Sequence, residues 1–209
     1  MRILIYIASV LSFVLIACEN NGVSQTEQGL ERSLDSLMVM ASDADSAHLE
    51  YILATIDSML VDAENKEDSL KILEHKAGIL WIEGNHDASL ALSLELSKGS
   101  EINFLKTKSF ICWVKEQHDS LQYYSCSALN YINSRLDTAF NEEKTRLLHA
   151  KFELLMMLNR KEDVRQLIDT LVAIDPDSYS SWQIRSFEHN YNVYQNNLDQ
   201  FKQEYYTKK

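Results

Sequence analysis

From Leu30 onward, apolar residues recur three and four positions apart, and short polar breaks interrupt them every dozen to twenty residues. That spacing is the signature of amphipathic helices. Leu30, Leu34, Leu37 and Met38 stripe a first helix, and Leu49, Ile52, Leu53, Ile56 and Leu60 a second, with Asp43 or Asp45 placed to cap it. After the polar break at 62–68, Leu70, Leu73, Ala77, Leu80 and Trp81 stripe a third, which Gly84-Asn85-His86-Asp87 ends. Leu90, Leu92, Leu94 and Leu96 mark a fourth. Ser100 opens a fifth holding Phe104, Leu105, Ile111 and Trp113, and the capping-box pattern of Asp119 and Gln122 opens a sixth. Asn141 is placed to cap a long seventh through Leu158. An eighth runs from the Arg160–Asp163 turn to Ile174, where Asp175-Pro176-Asp177 stops it, and an aromatic-rich helical segment follows from Ser178.

Helices of similar length joined by short turns become antiparallel neighbours, and a succession of such pairs predicts stacked helical hairpins. Composition agrees. One proline and five glycines in 209 residues are too few turn residues for a strand-rich fold of this size. The expected class is all-α.

The register Leu73, Ala77, Leu80, Gly84, Ser89, Leu96 can be laid on Leu148, Phe152, Leu155, Asn159, Val164, Leu171 at a displacement of 75 residues. That is about twice the 34-residue period of tetratricopeptide repeats. The stretches 70–103 and 145–177, the second with Pro176 near its end, resemble such repeats; 101–134 and the N-terminal pair fit more loosely. Ala77, Gly78 and Ser89 are small residues where paired helices approach closely. Phe152 and Val164 depart from that rule and predict a wider second hairpin. The resemblance implies a tetratricopeptide-like α-solenoid over residues 30–209.

The N-terminus follows another pattern. Arg2 precedes a 14-residue apolar run, Ile3 to Ile16, and then Ala17-Cys18. The run is short of the ~20 residues that span a bilayer and suits a signal peptide. With Leu15-Ile16-Ala17-Cys18 it resembles the signal and lipobox of bacterial lipoproteins. The resemblance implies removal of residues 1–17, lipid on Cys18, and attachment to a membrane through that lipid, with 18–29 as a flexible tether. Glu19, where an aspartate would imply inner-membrane retention, favours the outer membrane without choosing between its periplasmic face and the cell surface.

Charge narrows the partners. Lys and Arg number 20 against 31 Asp and Glu, and loss of residues 1–17 would remove only Arg2. No stretch supplies the basic face that replaces phosphate counterions, so nucleic acid is not an expected partner.

The chain has no HExxH pair, no Gly-x-Ser-x-Gly elbow and no glycine-rich phosphate loop. His118-Asp119-Ser120 are sequence neighbours and cannot converge as a triad. No histidine has a histidine or cysteine three or four residues away, as a helical metal site would favour. His75 and His149 fall at near-equivalent places in the matched stretches, which repetition of a packing position explains. No catalysis, cofactor or metal is expected.

Beyond Cys18 the cysteines are Cys112 and Cys126. A turn centred near 118–119 puts them at equal heights in a hairpin, compatible either with a disulfide or with two buried thiols. Trp113, Tyr123, Tyr124 and Tyr131 cluster in one pair of helices, and Trp182, Phe187, Tyr191 and Tyr194 run down the last. That stripe is expected to seal the core. Where tyrosines face water, Trp113, Tyr123, Tyr124 and Tyr191 are candidates to line a groove for an unidentified protein or peptide. The expectation is a non-catalytic, lipid-anchored interaction protein of the cell envelope. The alternative is a binding module for a small molecule, peptide or peptidoglycan fragment in an aromatic-lined groove.

Overall fold

A computed structural model describes residues 25–182 and 186–207. The expected signal peptide, Cys18 and the tether up to residue 24 lie outside the described residues. Among the described residues the chain is all-helical, with neighbouring helices packed against each other. It divides into two compact units, the first ending at Gly99 and the second beginning at Ser100.

The first unit contains α1 (Gln25–Ser42), α2 (Ser46–Val61), α3 (Lys66–Glu83) and α4 (His86–Ser97). Helix α1 starts five residues before the expected Leu30, because Gln25-Thr-Glu-Gln28 contains no helix breaker. The Asp45 carboxylate accepts from the His48 N–H at 3.0 Å and so caps α2. Asn65 does the same for α3 through the Asp68 N–H at 2.9 Å. Helix α3 packs against α1, α2 and α4. Leu34, Ala41, Leu49, Ile52, Ile56, Ile72 and Ile79, all nearly inaccessible, form the core among the first three helices.

The second unit contains α5 (Glu101–Val114), α6 (His118–Leu136), α7 (Asn141–Met157), α8 (Lys161–Ile174), the short α9 (Pro176–Tyr179) with a 3₁₀ turn at Ser180–Trp182, and α10 (Phe187–Thr207). Helix α7 packs against α5, α6 and α8, as α3 does against its neighbours in the first unit. Two expected caps are absent. Gln117 rather than Asp119 precedes α6, and Phe140 rather than Asn141 precedes α7, neither making a side-chain cap bond. Asp119 and Glu142 instead lie in first turns, where they complement the helix dipole.

One turn geometry recurs in three hairpins. Gly84, Glu116 and Asn159 adopt left-handed backbone with φ of 93°, 53° and 54°. In each case the left-handed residue donates its N–H to the carbonyl three residues back, and the next residue donates to the carbonyl five back. The pairs are Gly84 to Trp81 with Asn85 to Leu80, Glu116 to Trp113 with Gln117 to Cys112, and Asn159 to Met156 with Arg160 to Leu155. This is the Schellman closure, which satisfies carbonyls that a helix end leaves bare. The next helix starts two residues after the left-handed one every time.

That register aligns Ala77, Ser109 and Phe152, and Ser89, Leu121 and Val164, all buried. In α3–α4 the small pair lets the Ser89 hydroxyl reach the Ala77 carbonyl at 2.7 Å. Phe152 finds its room elsewhere, its ring meeting Tyr179, Trp182 and Tyr194 edge-on at 5.3–5.5 Å.

Helix α10 closes the second unit with Phe187, Tyr191, Leu198, Phe201 and Tyr205 inward. At one end the Tyr191 hydroxyl donates to Asn159 Oδ1 at 2.8 Å, and Gln195 Nε2 donates to the Met156 carbonyl at 2.7 Å. At the other the Tyr206 hydroxyl donates to the Val114 carbonyl at 3.1 Å, and Lys202 pairs with Glu116 at 3.0 Å. One helix thus touches both left-handed turns of its unit. Trp182, expected within the last helix, lies in the 3₁₀ turn before it and is buried.

Candidate functional site

Helices α6, α7 and α8 enclose a groove of about 440 Å³. Cys126, Leu129, Asn130 and Asn133 form the α6 wall. Their positions follow from helical spacing, since residues three, four and seven apart share a face. Asp163, Gln166, Leu167 and Thr170 form the α8 wall by the same rule. Leu148, Lys151 and Leu155 of α7 lie between, and Arg160 stands at the α7–α8 turn. The four leucines are buried and make an apolar floor, whereas Asn130, Asn133, Gln166 and Thr170 are exposed along the rim.

Both groove cations already have partners. Lys151 Nζ donates to Asn133 Oδ1 at 2.8 Å, and Arg160 Nε to Asp163 Oδ2 at 2.8 Å. The Cys126 sulfur accepts from Gln122 Nε2 at 3.1 Å. The sequence hid this groove because each of its polar residues, taken singly, reads as part of a solvated helix face. The only available signal was the 126/130/133 and 163/166/170 spacing, which places each set on one stripe.

A second polar feature is interior. Lys106 of α5 and Glu153 of α7 form an ion pair at 2.7 Å, their side chains only 9% and 13% exposed. Burial pushes the Glu153 carboxyl above its usual range, opposed by the Lys106 ammonium. His149 Nε2 lies 3.4 Å from Asp175 Oδ2, and burial moves its imidazole below the ordinary histidine value, opposed by Asp175. Burial, reinforced by the Glu153 charge, raises both the Tyr179 and Tyr194 phenols. Perturbed groups of this kind accompany active sites and structural ion-pair networks alike. This one is filled by Phe152, Tyr179, Trp182 and Tyr194 packing ring to ring, so it reads as a structural network.

None of the four nominated partner-contacting aromatics lines the groove. Trp113 is buried beside Phe110, with the Lys202 ammonium 5.7 Å from its ring. Tyr191 is buried beneath the Asn159 turn. Tyr123 is exposed and meets half-buried Tyr124 edge-on at 5.2 Å. Burial of Trp113 and Tyr191 therefore assigns them to the core.

Of the two alternatives for the cysteines, the structure has Cys112 and Cys126 as free thiols, the first buried and the second half-buried. The turn is centred at Glu116 rather than at 118–119, which puts Cys112 four residues before it and Cys126 ten after. Six residues of helix offset the pair by about 9 Å along the axis, beyond the ~4.4–6.8 Å between Cα atoms that a bridge spans.

His75 and His149 are not strictly equivalent, since the shared turn aligns His149 with Glu74. Among the described residues no three His, Cys, Asp or Glu side chains are grouped to hold a metal ion. No described helix is long and apolar enough to cross a membrane. No protein-family model, curated protein or solved structure matches this chain.

Proposed function

We propose that this chain is a lipid-anchored helical-repeat protein of the bacterial cell envelope that acts by binding another protein, without catalysis of its own. The observation that carries the reading is the turn at Gly84, Glu116 and Asn159, repeated bond for bond in three hairpins. Recurrence of one hairpin unit supports a tetratricopeptide-like architecture, whose repeats present extended binding surfaces. Leu15-Ile16-Ala17-Cys18 after a short apolar run supports the anchor, with Cys18 the acylated residue and the outer membrane its favoured site. Glu19 and the net acidity of the chain leave attachment to the lipid rather than to anionic headgroups.

Metabolic labelling with an alkyne fatty acid tests the anchor. The intact chain takes up label and partitions with membranes, and Cys18→Ala abolishes both; label retained by Cys18→Ala refutes it. Crosslinking followed by affinity purification from solubilised membranes tests the interaction. A reproducible stoichiometric partner supports the reading, and its absence with correctly acylated protein counts against it.

The groove volume of about 440 Å³ also accords with a second reading, a module for a small ligand. The lining departs from the expected aromatic one, being leucine and amide. Thermal stabilisation by a low-molecular-mass compound, lost on substituting the rim amides, distinguishes this reading from a protein-binding one.

A further inference from the structure

We propose that the α6–α7–α8 groove binds an extended segment of polypeptide about three residues long, held by its main chain and by apolar side chains set on the leucine floor. The inference rests on the protein-binding reading above and specifies where and how the partner is held.

Length comes from the walls. Cys126 to Asn133 and Asp163 to Thr170 each cover seven helical steps, or about 10 Å at 1.5 Å per residue. An extended chain rises about 3.3 Å per residue, so three residues fill that length. An extended strand leaves its N–H and C=O groups free for the polar rim, whereas a docked helix satisfies its own main-chain bonds internally.

The chemistry of the lining selects the main chain. Asn130 and Asn133 on one wall and Gln166 on the other each carry an amide that both donates and accepts, and Thr170 adds a hydroxyl that does the same. A peptide backbone alternates donors and acceptors and can use such groups on either side. A free anion is a poorer match. Lys151 is engaged by Asn133 and Arg160 by Asp163, and Asp163 itself faces the groove. A sugar ring would call for an aromatic platform, and the lining residues include none. Leu129, Leu148, Leu155 and Leu167 beneath the rim accept alternate side chains of a strand, which point to one face every second residue.

The test uses the chain from residue 19 onward, purified without the lipid, and a positional-scanning library of N-acetylated pentapeptide amides carrying a fluorescent label. Saturable binding favouring Leu, Ile, Val or Met at alternate positions is expected. For the best library member, N-methylation of a central peptide nitrogen should weaken binding at least tenfold. Asn130→Ala and Gln166→Ala should each weaken it about fivefold. Asn192→Ala, an exposed amide on α10 outside the groove, should leave it unchanged. No saturable binding by any library member to folded protein overturns the inference, as does binding indifferent to N-methylation or to the Asn130→Ala/Gln166→Ala pair. Stabilisation only by low-molecular-mass compounds that are not peptides also overturns it. An envelope partner captured undiminished by that double variant sinks the groove assignment while leaving the interaction function standing. Absence of any partner with the unaltered chain sinks the function itself.

Discussion

Replacing Lys106 by methionine isolates the energetics of the buried ion pair. At 2.7 Å and an effective dielectric near 20, the attraction between the two charges is about 6 kcal/mol. Removing both ions from water costs several kcal/mol each, so the pair as a whole contributes little net stability. Its single loss is different. Lys106→Met leaves the Glu153 carboxylate inside the unit without a counter-charge, at a cost of about 3–5 kcal/mol. Adding Glu153→Leu removes the stranded charge and should return the second unit to within about 1 kcal/mol of the unaltered chain, or above it.

The pH dependence follows from the sign of the shift. The Glu153 carboxyl already titrates above its usual range because of burial, and Lys106 is what holds it down. Without Lys106 it rises further. A carboxyl raised in the fold stabilises below its unfolded pKa, and that contribution is lost as pH rises through the folded value. The deficit of Lys106→Met should therefore be largest near pH 8 and shrink towards pH 5. Urea titrations at both pH values, with hydrogen exchange read on peptides of α5 and α7, report the second unit separately from the first. A single-variant loss below about 1 kcal/mol at pH 8, or a double variant as unstable as the single, refutes this account of a buried pair.

Three other outcomes are accessible. Glu116→Gly should exceed Glu116→Ala in stability by about 1 kcal/mol in urea denaturation, because both lose the Lys202 pair but only glycine relaxes the left-handed backbone. Burial raises the Glu74 carboxyl from 4.5 to about 7, so the first unit should lose stability as pH climbs through that window, by at most about 3 kcal/mol. Glu74→Gln should flatten that dependence in melts followed from pH 4 to 8. With an aromatic disulfide reagent, the half-buried Cys126 should react in the native protein and Cys112 only after denaturation. Equal rates would contradict their difference in burial.

The helices were legible because their stripes repeat over whole elements, and Gly84 announced its turn because glycine tolerates left-handed backbone without penalty. Glu116 announced nothing, since glutamate is a helix former in most settings. The polar spacing therefore points to a turn at 118–119 rather than at Glu116, and that shift alone makes a disulfide look level. The Lys106–Glu153 pair joins residues 47 apart in the chain, and no local pattern encodes such a meeting. Tyr191 could be assigned to a water-facing groove or to the core by composition alone. Its burial beneath the Asn159 turn decides for the core. The groove stayed hidden for a related reason, because two unremarkable polar stripes acquire meaning only when α7 sets them face to face.

Helix α10 reaches from the Asn159 turn to the Glu116 turn and supplies Phe187, Tyr191, Leu198, Phe201 and Tyr205 to the interior. The order of synthesis then matters. While a ribosome has released only α5 to α8, those hairpins expose the apolar surface that α10 will cover, and their unit cannot close. The interior of that unit is complete only when α10 lies across both turns.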